Sequence, residues 1–273
     1  MGESIHGSRF EIGNGGKAAN QAVMAARLGS EVTLVAKLGT DVFGEGMLAG
    51  LRAEGVDTTH VSLTDEAHSG VAPIAVDEHG ENAIIVVTGA NDLLGEVELE
   101  EARDAIAGAD VLVCELEIRV EATLAALRLA REAGVRTILN PAPARALPDE
   151  AYTLSDVFCP NEPEAEDLAG TGDVERAARS FRERGAGAVI VTLGERGCLV
   201  VEDEVTAIEA PRVNALDTTG AGDAFVGTLA HELARGQELL DAARLATRVA
   251  SMSVERRGTQ TSFPTAEELA GLE

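Results

Sequence analysis

Aromatic side chains are scarce in this 273-residue chain, which has one tyrosine, six phenylalanines and no tryptophan. Little is available to stack a nucleobase. Lysine is scarcer than usual too: Lys17 and Lys37 are the only two, and every other Lys/Arg cation is arginine. With 22 Lys and Arg against 47 Asp and Glu, the formal charge is −25. Such a surface repels nucleic acid and acidic membranes, and neither is expected as a partner. An ordinary acidic protein would show this balance. Adaptation to high salt, where screening relieves self-repulsion, is the reading favoured, and low stability below molar salt would be its sign.

Cysteine is sparse as well. Cys114, Cys159 and Cys198 are odd in number and contain no C-x-x-C pair, which argues against a disulfide framework or a zinc site. Each adjoins a strand-like run and reads as a small buried hydrophobe. No stretch approaches the roughly 18 uncharged apolar residues of a membrane helix. The first dozen residues are polar and lack the apolar core of a signal peptide. A reducing cytoplasm fits all of this. There is no internal repeat and no low-complexity linker.

What remains is an alternation of two periodicities. Strand-like runs occur at 32–36, 111–115, 137–140, 157–159, 188–193 and 198–201. Several are continuously apolar, as suits strands buried on both faces of a parallel sheet. Helical patterns fill 18–28, 43–54, 120–133, 174–184, 221–234 and 239–256. Strand followed by helix, repeated, predicts a doubly wound, mostly parallel α/β sheet flanked by helices. One domain over residues 1–273 accommodates it. Two segments break the rhythm. Residues 5–12 are short and partly alternating, while 70–77 and 82–87 are β-rich around a turn at 78–81. These predict a small β-sheet lid formed by about 3–12 and 70–88. The acidic run 96–101 reads as the start of a solvated helix. His60, His68, His79 and His231 have no metal spacing and read as surface residues.

Two glycine-rich segments suggest anion binding without matching the commonest templates. Gly13-Asn14-Gly15-Gly16-Lys17-Ala18 lacks the Ser or Thr after Lys and the first Gly of a P-loop. Gly220-Ala221-Gly222-Asp223-Ala224-Phe225 has Phe where a dinucleotide fold needs its third Gly. The second segment still opens a helix with small residues, so its amides make an anion site without a cationic side chain. Asp223 stands at the end of that site, where a carboxylate repels phosphate unless it has a task. Taking a proton from an attacking hydroxyl is one such task, and capping the helix is the plain alternative. Gly15-Gly16-Lys17-Ala18-Ala19-Asn20 likewise precedes a helix, and Asn20 offers both a donor and an acceptor to a sugar hydroxyl. Asn161 and Glu164 lie three apart at a helix start. They could share a hydrated Mg²⁺ or simply cap the helix. Thr192-Leu193-Gly194-Glu195-Arg196-Gly197 joins two strands, either as a plain hairpin or as a loop over a nucleotide.

These motifs and their order resemble the PfkB carbohydrate kinase family. The segment 15–22 resembles its first signature, and 217–223 (Asp217-Thr218-Thr219-Gly220-Ala221-Gly222-Asp223) its second, D-T-x-G-A-G-D. Between them lie Gly89-Ala90-Asn91, Asn140-Pro141-Ala142-Pro143-Ala144, Pro160-Asn161-Glu162-Pro163-Glu164 and Thr192-Leu193-Gly194, which look most like the ribokinase branch. The resemblance covers nearly the whole chain. It implies an ATP-dependent sugar kinase, with ribose to ribose 5-phosphate the first expectation and a homodimer formed through the lid. Fructose, a keto-deoxy sugar or a nucleoside remains an alternative substrate, as does a non-catalytic binding remnant.

By the same resemblance, Gly16, Lys17, Ala18, Ala19, Asn20 and Glu117 would hold the sugar, and Asp223 would be the base. Gly220, Ala221 and Gly222 would form the anion hole. Asn161, Thr192, Leu193, Gly194, Glu195, Arg196, Gly197 and Thr247 would hold ATP. Glu164 would position Mg²⁺ through water. Asp217, Thr219, Ser253, Arg256, Gly258 and Ser262 would surround K⁺, mostly through backbone oxygens. The sequence departs from the family in two places. Met1-Gly2-Glu3-Ser4 already looks like the start of the lid, so the family's first strand, with an Asp that grips sugar hydroxyls, has no counterpart. A misassigned start is the favoured explanation over a truly shortened chain. The missing partner would cost about 1–3 kcal/mol in sugar binding. The other departure is Ala18, where ribokinases often have Gly.

Overall fold

A computed structural model describes residues 8, 12–76 and 82–271 of the chain. Most of the expected first half of the lid lies outside these residues. The elements run α1 (Lys17–Arg27), β1 (Ala36–Gly39), α2 (Val42–Ala53), β2 (Val61–Thr64), β3 (Ile74–Val76), β4 (Asn82–Ile84), α3 (Glu96–Glu101), α4 (Arg103–Ala107) and β5 (Val111–Cys114). They continue with α5 (Val120–Ala133), β6 (Arg136–Leu139), α6 (Asp149–Thr153), β7 (Val157–Phe158), α7 (Glu162–Ala169), α8 (Val174–Glu183) and β8 (Ala188–Thr192). The last are β9 (Cys198–Val201), β10 (Val205–Ile208), α9 (Ala221–Ala234), α10 (Leu239–Ser253) and α11 (Ala266–Leu269).

Six strands form the main sheet in the order β10-β9-β8-β7-β6-β5. The β5–β8 block is parallel, built by strand–helix crossovers, whereas β9 and β10 return antiparallel through tight connections. Successive side chains of the parallel strands point to opposite faces. Leu139, Val189 and Val191 join the core under α5 and α8, where Tyr152, Phe158 and Phe181 stack with ring centroids 4.9–5.6 Å apart. Ile138, Ile190 and Val200 face α9 and α10. Helices on both faces explain why these strands read as continuous apolar runs. All three cysteines are buried and free, as expected.

The strand expected at 32–36 is displaced: the ladder covers 36–39, paired in parallel with β2. Thr33 bridges Asp57 while Ala36 pairs with Val61, so the partner segment carries one residue more and the ladder is interrupted by a bulge. Among the described residues, β5 has a neighbour on one side only, and β1–β2 does not join the main sheet. The expected hairpin is present as β3–β4, extended by a Val71–Val87 bridge. The acidic run is helical as α3, but Glu98 is turned inward, accepting from the Gly95 amide at 2.9 Å and pairing with Lys37. His231 is also not a surface residue. It is 6 % exposed, with Nδ1 2.7 Å from the Ser30 hydroxyl, because α9 is covered on several sides.

Candidate active site

Helix α9 positions the central carboxylate. Its N-cap is Gly220 (φ 80°), where a side chain would meet the Phe263 ring at 3.2 Å. Asp223 is the third residue of the helix and 7 % exposed. Both of its oxygens are held by carboxamides from α1: Asn20 Nδ2 donates to Oδ2 at 2.8 Å, and Gln21 Nε2 to Oδ1 at 3.1 Å. The helices approach this closely because position 227 is glycine; a Cβ there would lie 2.5 Å from the Gln21 carbonyl oxygen.

The carboxamides are themselves fixed. Gln260 Nε2 donates to Asn20 Oδ1 at 3.1 Å. Gln21 also reaches Asn140 Oδ1 at 3.2 Å, and Asn140 donates to the Cys159 carbonyl at 2.8 Å. Residues about 240 apart in the chain thus orient one carboxylate. Burial pushes the Asp223 carboxyl above its ordinary range; the Lys17 charge and the Asn20 and Gln21 donors pull it back, and Glu117 pushes it up. A raised proton affinity suits a group that is to accept a proton.

Asp223 lines a cavity of about 140 Å³ with Lys17, Asn140, Asn161, Glu164 and Gly222, among others. The Ala221 amide points to the Thr218 carbonyl at 3.2 Å, whereas the Gly222 amide has no acceptor among the described residues. A first-turn amide without an intrahelical partner, at the positive end of a helix, attracts an anion. Gly16 and Lys17 bring in Glu117: the Lys17 amide donates to Glu117 Oε2 at 2.9 Å. Glu115 accepts from the Glu117 amide and is 5 % exposed. Burial first, then the Glu117 and Asp223 charges, push its carboxyl up to about 8, against the Glu117 amide and Lys17.

Asn161 and Glu164 form a reciprocal capping box, each amide donating to the other's side chain at 2.8 Å. Both also line the cavity, so capping and facing the site are compatible here. Burial raises the Glu164 carboxyl, against the Asn161 amide and Lys17. The segment at 192–197 is an antiparallel hairpin between β8 and β9 with a 3-10 turn at its tip. Thr192 lines the cavity, Glu195 and Arg196 are exposed, and Arg196 pairs with Glu162 at 2.5 Å. Thr247 is buried, its hydroxyl on the Ala243 carbonyl at 2.8 Å, and is not part of the cavity wall.

Asp217 sits in a second cluster. It accepts from Thr219 N and Oγ1 at 2.9 and 2.6 Å and from the Gly258 amide at 2.9 Å, tying 217–219 to 258. Ser253 and Ser262 are buried, with hydroxyls on the Ala250 and Thr259 carbonyls. Arg256 points away to Glu268. No group of three or more His, Cys, Asp or Glu that could hold a metal occurs among the described residues. No described helix is long and apolar enough to cross a membrane.

Gln21, Asn140, Glu115 and Gln260 were not singled out by sequence reasoning. Gln21 and Asn140 lie inside recognisable motifs and Glu115 beside Glu117, but nothing in the sequence marks Gln260, which acts through tertiary packing alone.

A buried, carboxamide-held aspartate at the amide end of a helix, beside a lysine, is an arrangement suited to taking a proton from a hydroxyl next to a bound anion. The family comparison makes that class specific. The pfkB family carbohydrate kinase profile matches residues 1–266, and the chain belongs to this family. It is 43 % identical to mouse (Mus musculus) ribokinase over 98 % of this chain and 86 % of that one. It is 39 % identical to Salmonella typhi deoxyribokinase over 98 % and 90 %. The structure of Arabidopsis thaliana ribokinase complexed with ribose and ATP superposes with a TM-score of 0.93 at 27 % identity, over 100 % of this chain and 91 % of that one. The fold is ribokinase-like, and the protein is an ATP-dependent sugar kinase.

Proposed function

We propose that the chain phosphorylates ribose to ribose 5-phosphate, with Asp223 as general base. The observation that carries the reading is the Asn20–Asp223–Gln21 clamp beside the Gly222 amide. Asp223 takes the proton of the sugar hydroxyl, the oxygen attacks the γ-phosphorus, and ADP leaves. Little covalent chemistry is asked of the protein beyond in-line positioning. The Gly220 and Gly222 amides and Lys17 stabilise charge on the transferred group, while the Ala221 amide is taken by the Thr218 carbonyl. Gly16, Lys17, Asn20 and Glu117 make the sugar side, while Ala18 and Ala19 pack into the apolar cluster around α1. Asn161, the 192–197 hairpin and Thr247 hold ATP.

Glu164, an oxygen donor on the cavity wall, would orient a water-bound Mg²⁺, which would supply shielding of the phosphate charge. Backbone oxygens near 217, 219, 253, 256, 258 and 262 would hold K⁺, whose field would add to the anion hole; the bonds from Thr219 and Gly258 to Asp217, which tie 217–219 to 258, support that reading. We read the described residues as one domain in which 70–76 and 82–88 form a lid and a homodimer contact; most of 3–12 lies outside those residues. Exposed Ile74, Ile85 and Val86 support that reading. The unpaired cysteines support a reducing cytoplasm, and the charge of −25 supports a high-salt setting.

The test is sugar-dependent ADP release across ribose, 2-deoxyribose and fructose, in KCl and in NaCl. Ribose is expected to give the highest kcat/KM, and KCl to raise the rate where NaCl does not. Stability should rise in both salts. Preference for 2-deoxyribose would move the substrate to the second relative's sugar, and ATP binding without sugar-dependent ADP release would refute the kinase assignment.

A further inference from the structure

Glu115 is buried within reach of the Glu117 and Asp223 charges, yet phosphoryl transfer gives it no task. It directly follows β5, and its backbone is fixed on both sides. The Thr123 hydroxyl donates to the Glu115 carbonyl at 3.1 Å. The Leu116 amide donates to the Ala142 carbonyl at 3.0 Å, which carries the β5–β6 pairing past the end of its ladder. A buried carboxyl needs a partner, and the one it has is local: Glu115 Oε2 accepts from the Glu117 amide. No cation bonds Glu115 among the described residues, and Lys17 acts on it through its field alone.

That bond heads a relay. The Glu117 carboxylate accepts from the Lys17 amide at 2.9 Å through Oε2, and a side chain added at Gly16 would lie 3.8 Å from the same oxygen. The turn that opens α1 is therefore built against Glu117, and α1 carries Asn20 and Gln21, which hold Asp223. Glu115 itself does not line the catalytic cavity. Four titratable groups face its carboxyl: Glu117 in the same segment, Asp223 on α9, Lys17 on α1 and the Cys114 thiol on β5. Burial above all pushes the Cys114 thiol up to about 12, which keeps it neutral. An ionised Glu115 would add a buried negative charge against Glu117 and Asp223, with Lys17 to offset it.

We propose that Glu115 is a positioning residue for the sugar: by holding the Glu117 amide it keeps the Glu117 carboxylate, and the Gly16–Lys17 turn built against it, in the geometry that grips the substrate. It does so as the neutral acid, since ionisation would drive Glu117 off the Lys17 amide by repulsion. This role rests on the reading that Glu117 and the α1 N-terminus form the sugar side.

The experiment measures initial rates of ADP release by the full chain, with whichever of ribose, 2-deoxyribose and fructose the wild type turns over best. E115A, E115Q and E117A are compared with it across neutral and alkaline pH. At neutral pH E115A should raise the sugar KM about tenfold or more, the scale of a buried amide left without its acceptor, and leave the ATP KM within about twofold. E115Q supplies a neutral acceptor of nearly the same shape and should restore the sugar KM. In the wild type the sugar KM should climb as pH passes about 8, where Glu115 ionises, while E115Q stays flat. An unchanged sugar KM in E115A, equal rises for sugar and ATP, or no rescue by E115Q would overturn the positioning role. Parallel pH profiles for the wild type and E115Q would overturn the neutral-acid form, and this comparison decides the matter if E115A does not fold. E117A separates the two readings. A raised sugar KM in E117A beside an unchanged one in E115A would remove Glu115 alone. An unchanged sugar KM in E117A would remove Glu117 from the sugar side, and the role of Glu115 with it.

Discussion

The two ends of the proposed reaction are built differently. On the phosphoryl side, Asp223 is 7 % exposed and held by side chains from α1, themselves fixed by residues 140 and 260. On the side of the proposed lid, β3 and β4 have three residues each, and Ile74, Ile85 and Val86 are about half exposed or more. One region spends buried polar groups on orientation, so its geometry is over-determined. The other has little burial to hold one geometry, which suits an element that closes over ligands. Substitutions should therefore act on chemistry at the first and on binding or assembly at the second.

The largest effect is expected at Asp223. Asp223→Asn should lower kcat by about 10²–10⁴, the usual contribution of a general base, with ATP affinity by calorimetry largely kept. Near-normal turnover would remove Asp223 from the base role.

Next comes Glu115. Its carboxyl is pushed up to about 8 in the folded state, against an ordinary value of 4.5. The folded chain therefore holds this proton between those values where the unfolded chain has released it, so stability falls as pH rises through that window. Glu115→Gln should abolish this dependence and gain on the order of a few kcal/mol at pH 8, read as a Tm difference that vanishes near pH 4.5. A pH-independent difference would place the effect elsewhere.

A smaller loss is expected on the loop side. Asp217→Ala removes the acceptor of three hydrogen bonds, costing about 1–3 kcal/mol in thermal melts. It should also weaken activation by KCl; an unaltered KCl response would separate Asp217 from the cation. The smallest effect belongs to the hairpin. Ile85→Ser at a 64 % exposed position should change stability by about 0.5 kcal/mol or less, while shifting the monomer–dimer balance seen by light scattering. A change in kcat comparable to that of Asp223→Asn would erase the contrast between the regions.

The same contrast explains what the sequence revealed. Buried parallel strands such as β8 announce themselves as apolar runs because helices cover both faces. Glycines 220 and 222 and Asp223 were legible because a helix N-terminus with small residues has a local signature. The interruption between 33 and 36 was not legible, since it depends on one extra residue in the partner segment at 57–61. Gln260 and the burial of His231 were hidden for the same reason, being set by what packs against them from far along the chain. Asn161 and Glu164 illustrate a false choice, because a capping box can present its residues to a cavity.

The central claim is that Asp223 and its carboxamide holders act as one unit. The most direct test is a double-mutant cycle on sugar-dependent ADP release with Asp223→Asn and Gln21→Ala. Groups that act together are strongly non-additive. Gln21→Ala alone should lower kcat, and adding it to Asp223→Asn should cost almost nothing further. Losses that multiply in the double variant would contradict the account.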